Sequence, residues 1–234
     1  MKYAGEQQER DGGHGSLEWR IEYTHCITNF MAVKSKRRTY RSDVRAASVD
    51  EGRARMIEAG RKLLNGGKGM PAFSIDAVAR EAGVTRATVY NQFESKHVLL
   101  AAIFDDIAQK GGLFELSQVF SEPDPEKALR RAVAIFAKFW GMHAQSMPKF
   151  TAFSQLDEEV ATMLSERAER RRKLLTAIVE RISAVRSPAD LVDVLYALTG
   201  PEFYRLLAIH GRGAKAVEEL TWQAVTDAVR RFTK

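Results

Sequence analysis

The sequence predicts an all-α fold of about nine helices, with three helices at the N-terminal side and a helical bundle behind them. Three observations carry this expectation. Apolar residues recur at the 3.6-residue period from Gly52 onward, alternating β-branched runs are missing, and Gly, Pro, Ser, Thr and Asp punctuate the periodic stretches at helix-length intervals. With 45% hydrophobic residues and only 6 prolines in 234, the composition suits a packed core whose stability comes from burial.

Several function classes are excluded at this level. No apolar stretch approaches the roughly 20 residues that cross a bilayer. Residues 1–30, which carry Glu6, Glu9, Asp11, Glu18 and Glu22, lack a signal-peptide pattern, so the expected location is cytoplasmic, with no membrane contact. Cys26 is the single cysteine, which rules out intrachain disulfides and multi-cysteine zinc sites. His14, His25, His97, His143 and His210 are scattered without ligand spacing, and neither GxSxG nor HExxH is present. Asp157-Glu158-Glu159 reads as the acidic first turn of a helix. No catalytic residue, metal ligand or cofactor is expected.

Charge is unevenly distributed. Residues 1–30 carry a net −2, residues 31–96 a net +7 and residues 97–234 a net +1. A locally basic segment ahead of a nearly neutral remainder is the electrostatic footprint of a phosphate-backbone binder, although a solvated basic surface gives the same numbers.

Taken in order, residues 1–50 are expected to be a disordered extension, because Gly5, Gly12, Gly13 and Gly15 fall among polar residues without a sustained period. Met31 stands just before the basic run Lys34, Lys36, Arg37, Arg38, Arg41, Arg45, so translation is expected to begin there; a native peptide spanning residues 1–20 would sink that idea. The run itself reads as an arm that follows phosphates or enters a minor groove, or as a solubilising tail. Met56, Ile57, Gly60, Leu63 and Leu64 then share one face of helix one. Residues 65–71 form a breaker-rich loop. It is no phosphate-binding loop, since GxxxxGK[ST] is absent and Lys68 is followed by Gly69.

Residues 51–97 are expected to form a helix-turn-helix domain. Ser74 caps a helix with Asp76 in its first turn and Ile75, Val78, Ala79 and Ala82 as its apolar stripe. Gly83 supplies the left-handed conformation that ends it, and Thr85 offers the next N-cap. The pattern Ala79-x3-Gly83-x5-Val89 is the spacing of a DNA-reading helix-turn-helix, whose steep crossing needs small residues at the contact. The second helix turns Val89 and Phe93 inward and Arg86, Thr88, Tyr90, Asn91 and Gln92 outward. Arg86 suits bidentate donation to a guanine, whereas Thr85 and Tyr90 suit phosphate oxygens. Lys96 follows the cap Ser95, so a cation and free backbone N–H groups converge at the next helix start. A solvated helix surface is the alternative for each of these residues.

The run FSIDAVAREAGVTRATVYNQFESKHVLL, from Phe73 to Leu100, resembles the DNA-binding domain of tetracycline-repressor-like (TetR-type) regulators. The likeness extends over about 50 residues, from helix one into helix four. It implies that Tyr90, before the step Asn91-Gln92-Phe93, and Lys96, of the Ser-Lys pair, contact the DNA backbone. It further implies a repressor-like homodimer on palindromic double-stranded DNA, released by a ligand held in the C-terminal part. Gln92 departs from the aromatic or histidine commoner there. The full candidate DNA-binding set is Ser74, Thr85, Arg86, Ala87, Thr88, Tyr90, Asn91 and Lys96.

Residues 98–234 are expected to serve dimerisation and ligand sensing. Leu99, Leu100, Ile103, Phe104 and Ile107 continue the period into a linking helix, and helical patterns recur over 126–142, 156–185, 189–209 and 215–232. Ser187-Pro188 reads as a cap with a first-turn proline, and Gly200-Pro201 as an interruption. The last two patterns carry Leu191, Leu195, Leu198, Tyr204, Leu206, Leu207, Val217, Leu220, Val225, Val229 and Phe232, and the resemblance makes them the homodimer interface. Aromatic and methionine residues are densest around Met147. The candidate lining of a pocket for a small apolar or amphipathic ligand is Phe136, Phe139, Trp140, His143, Phe150, Phe153, Met163 and Tyr204, with ordinary core packing as the alternative. A DNA binder that senses nothing, and an activator in place of a repressor, share the same reader.

Overall fold

The computed structural model describes residues 40–65, 73–144 and 146–233. Among them are eleven α-helices, one 3-10 helix and no strand, so the class is the expected one with more helices than the sequence suggests. They are α1 (Tyr40–Asn65), α2 (Ile75–Ala82), α3 (Arg86–Phe93), α4 (Lys96–Lys110), a 3-10 turn (Leu113–Leu116), α5 (Ser117–Ser121) and α6 (Pro125–His143). Then follow α7 (Met147–Ser154), α8 (Glu158–Val179), α9 (Pro188–Leu198), α10 (Pro201–Ala208) and α11 (Ala214–Thr233). No described helix is long and apolar enough to cross a membrane. The expected start at Met31, the arm from Lys34 to Arg38, Cys26 and the glycine loop lie outside the described residues.

Helix α1 begins at Tyr40, which corrects the expectation of disorder for residues 40–50. That stretch has no Gly or Pro to break a helix, and Tyr40, Val44 and Ala47 fall at i, i+4 and i+7, but Arg41 and Arg45 continue the basic run from Lys34 and so read as an arm. From Met56 on, α1 packs along α2 and α4. Gly60 permits the α1–α4 crossing, because a Cβ there would collide with the Ile103 side chain.

One apolar cluster runs from α1 through α4 and on into α6, α7 and α8: Met56, Val78, Val89, Phe93, Leu99 and Ile103 join Phe139, Phe150, Val160 and Met163. The core therefore continues across residue 97, and α4 links the first three helices to the bundle through its contacts with α1, α3 and α8. Phe104 and Phe150 make the seam, with ring centroids 4.4 Å apart.

Local chemistry sets most boundaries. Asp124 caps α6 by accepting from Glu126 and Lys127 N–H groups, with Pro125 at the first helical position. Asp157 caps α8 by accepting from Val160 N–H. The pattern expected over 156–185 stops at Val179. The break at Gly200-Pro201 is complete and yields two helices, while Ser187 precedes Pro188 without the expected side-chain cap bond.

Candidate functional site

Helices α2 and α3 form the steep pair that the spacing predicts. Ser74 Oγ accepts from Ala77 N–H at 3.1 Å and opens α2. Gly83 closes it in the left-handed conformation, φ 68°, and Val84 N–H donates to Ala79 O at 2.9 Å. Thr85 Oγ1 accepts from Thr88 N–H at 3.1 Å and opens α3. Val89 and Phe93 are fully buried, which fixes the rotation of α3. The polar side that remains exposes Arg86, Ala87, Thr88, Tyr90 and Asn91 together, with Thr85 and Ser74 exposed at the helix starts.

Arg86 and Lys96 are held before any partner arrives. Arg86 Nη1 lies 3.1 Å from Asp76 Oδ2, its Nη2 donates to Tyr90 Oη at 3.3 Å, and its guanidinium sits 5.4 Å from the Tyr90 ring. The Tyr90 hydroxyl, then the Asp76 carboxylate, raise the Arg86 pKa above its ordinary value, so the group stays cationic. Lys96 is half-buried rather than splayed to solvent. Its Nζ lies 2.7 Å from Asp157 Oδ2 and 4.9 Å from the Phe153 ring centre.

Sequence reasoning missed Arg53. Its Nη1 donates to the Gln92 carbonyl at 3.2 Å and its guanidinium covers the Phe93 ring at 4.4 Å, tying α1 to the end of α3. The bond uses the backbone of Gln92, so no side-chain motif announces it.

A groove of about 470 Å³ opens between α6, α7 and α10. Of the residues expected to line a pocket, Trp140 and Tyr204 do so. Phe136, Phe139, Phe150 and Met163 are buried core instead, and Phe139, Phe150 and Met163 belong to the one apolar cluster that joins α6, α7 and α8. Phe153 faces Lys96, and His143 packs on Phe139 at 4.8 Å. The groove wall is built from Met147, Thr151 and Gln155 of α7 and its end, and from Glu202 and Arg205 of α10. Met147, Thr151 and Gln155 stand at i, i+4 and i+8, a legible helical stripe that its mixed polarity hid.

Trp140 Nε1 donates to the Thr199 carbonyl at 2.8 Å, leaving its ring as the groove surface. Arg171 stacks 4.0 Å from the Tyr196 ring and donates to the Tyr196 carbonyl at 3.0 Å; burial lowers its pKa. Among the described residues His143 Nε2 is buried without a partner. Burial and then the Arg61 charge push the His143 pKa below 6.5, against a bond to the Ile107 backbone that raises it.

At the C-terminal end, Leu191, Leu195, Tyr204, Val217 and Val225 are buried within the chain, whereas Val194, Leu206, Ile209 and Leu220 remain exposed on α9 to α11. Among the described residues no cluster of His, Cys, Asp or Glu has the make-up of a metal site.

The chain matches the family described as bacterial regulatory proteins, tetR family, over residues 56–103. It is 31% identical to the HTH-type transcriptional regulator EthR of Mycolicibacterium smegmatis over 170 residues, 72% of this chain and 76% of that one. In fold it is similar to a TetR transcription regulator from Haloarcula marismortui, with a TM-score of 0.61, 16% identity, and 79% of this chain and 100% of that one covered. It is also similar to NalD, the secondary repressor of the MexAB-OprM multidrug efflux pump in Pseudomonas aeruginosa, with a TM-score of 0.59, 17% identity, and 77% and 96% covered.

Proposed function

Since the chain belongs to the TetR family, whose members are DNA-binding, dimeric transcriptional regulators, we propose that it is a repressor released from a palindromic operator by a small apolar or amphipathic ligand. In this reading residues 51–97 bind DNA, residues 98–234 dimerise and sense the ligand, and the protein works in the cytoplasm. The observation that carries it is the shared exposure of Arg86, Thr88, Tyr90 and Asn91 on a helix whose rotation is fixed by buried Val89 and Phe93. A helix held in this way enters a major groove with a defined set of side chains.

Supporting the dimer is the apolar set Val194, Leu206, Ile209 and Leu220, which stays exposed among the described residues. A two-fold pairing of this face would hold two readers at a fixed separation, and palindromic recognition needs about 34 Å between them. Supporting the ligand is the groove, where the rings of Trp140 and Tyr204 share one space with the polar Thr151, Gln155, Glu202 and Arg205.

The test is a mobility shift on the DNA upstream of the protein's own gene, with a scrambled duplex as control. We expect salt-sensitive retention of the upstream duplex and weaker retention by Tyr90→Phe and Arg86→Ala. Equal affinity of wild type and Arg86→Ala for both duplexes would remove sequence reading from α3.

A further inference from the structure

The Lys96 ammonium, a group the proposed function sends to DNA phosphate, already has an anion inside the protein. Asp157 Oδ2 is 2.7 Å away, and the two side chains are only 33% and 18% exposed, so solvent screens the pair poorly. Asp157 is itself fixed by its place in the chain. Its Oδ1 accepts from Val160 N–H at 3.3 Å as the cap of α8, and its own N–H donates to the Phe153 carbonyl at 3.1 Å. Burial would raise the Asp157 pKa, but the Lys96 ammonium and the Val160 and Glu159 N–H groups hold it lower, so the carboxylate stays charged.

A phosphate cannot join this arrangement freely. With Nζ against the carboxylate, a phosphate oxygen touching the same ammonium would stand within about 6 Å of a second anion, which is repulsive in a half-buried place. Either Lys96 leaves Asp157 or the phosphate contact is not made. Helix α7, whose residues Met147 and Thr151 line the groove, runs directly into the corner that carries Asp157, two residues beyond the groove residue Gln155.

We propose that Asp157 competes with DNA phosphate for Lys96, a brake on DNA affinity set at the groove-lined end of α7. The inference rests on the proposed function, because it needs Lys96 to reach DNA.

Asn serves as an N-cap about as well as Asp, so D157N removes the charge and keeps the cap. Full-length wild type, D157N, K96A and the K96A/D157N double variant are titrated by fluorescence anisotropy against a random-sequence duplex of roughly 30 base pairs at about 0.1 M salt. The expected result is about three- to tenfold tighter binding by D157N than by wild type, with K96A and the double variant binding alike. D157N that binds no tighter than wild type, or that tightens equally in the K96A background, overturns the competition, the latter because a general charge effect would explain it. Loss of binding to both this duplex and the upstream duplex by folded wild type overturns the proposed function and the brake with it, an outcome distinct from failure of the brake alone. Acetylation of Lys96, read by mass spectrometry without DNA, should be faster in D157N; an equal rate also overturns the proposal.

Discussion

The reader and the groove are built by opposite rules. In the reader the exposed face of α3 is organised by local devices, the caps Ser74 and Thr85, the left-handed Gly83, and two buried anchors on α3 itself. In the groove Trp140, Thr151 and Tyr204 come from three helices, and their neighbours Phe136, Phe150 and Met163 are core. A site that depends on one turn and one helix can be read from consecutive residues. A site that depends on which faces of several helices meet cannot.

Substitutions in the two regions should differ accordingly. The largest effect is expected at Phe93, fully buried beneath Arg53: Phe93→Ala should cost about 3–5 kcal/mol in urea unfolding. A loss under about 1 kcal/mol would mean the reader is not seated on the common core. Next is Gly83→Ala, where a Cβ would find open space but the backbone sits at φ 68°, so about 1–2 kcal/mol of strain is expected without any clash. An unchanged unfolding midpoint would show that the turn relaxes. Thr85→Ala removes only a cap, with an expected cost of about 1 kcal/mol.

His143 tests the seam between the two regions, since it feels Arg61 of α1 and the Ile107 backbone of α4. Its folded pKa is lowered, so the unfolded state takes up the proton first as pH falls. The stability it contributes is present above its ordinary value of 6.5 and is lost as pH falls through the lower folded value. Thermal midpoints of wild type should therefore fall more steeply than those of His143→Leu in mildly acidic solution; parallel slopes would take His143 out of the seam. The smallest effect on stability belongs to the groove wall. Thr151→Ala, exposed on α7, should shift the unfolding free energy by no more than about 0.5 kcal/mol while changing the binding of a fluorescent apolar dye. A dye response equal to wild type would take α7 out of the proposed ligand site.

The limits of legibility follow the same line. Val89 and Phe93 could be assigned inward and Tyr90 outward because one short amphipathic helix admits one rotation against its neighbour. Trp140 and Tyr204 were legible as pocket residues only in company with Phe139 and Phe150, since an aromatic side chain at helical spacing looks the same whether it meets a groove or another helix. The first turns of α1 from Tyr40 read as part of a basic arm because Arg41 and Arg45 continue the run that starts at Lys34.

The helical class, the helix-turn-helix with its caps Ser74, Thr85 and Ser95, and the family were legible in the sequence, because the motif rests on interactions within a few residues of one another. That Arg53 clasps the end of α3, that α7 and α10 wall the groove, and that Lys96 is held by Asp157 follows from helix packing. These contacts join residues far apart in the chain, and they exist only once the packing of several apolar faces has chosen which helices lie together.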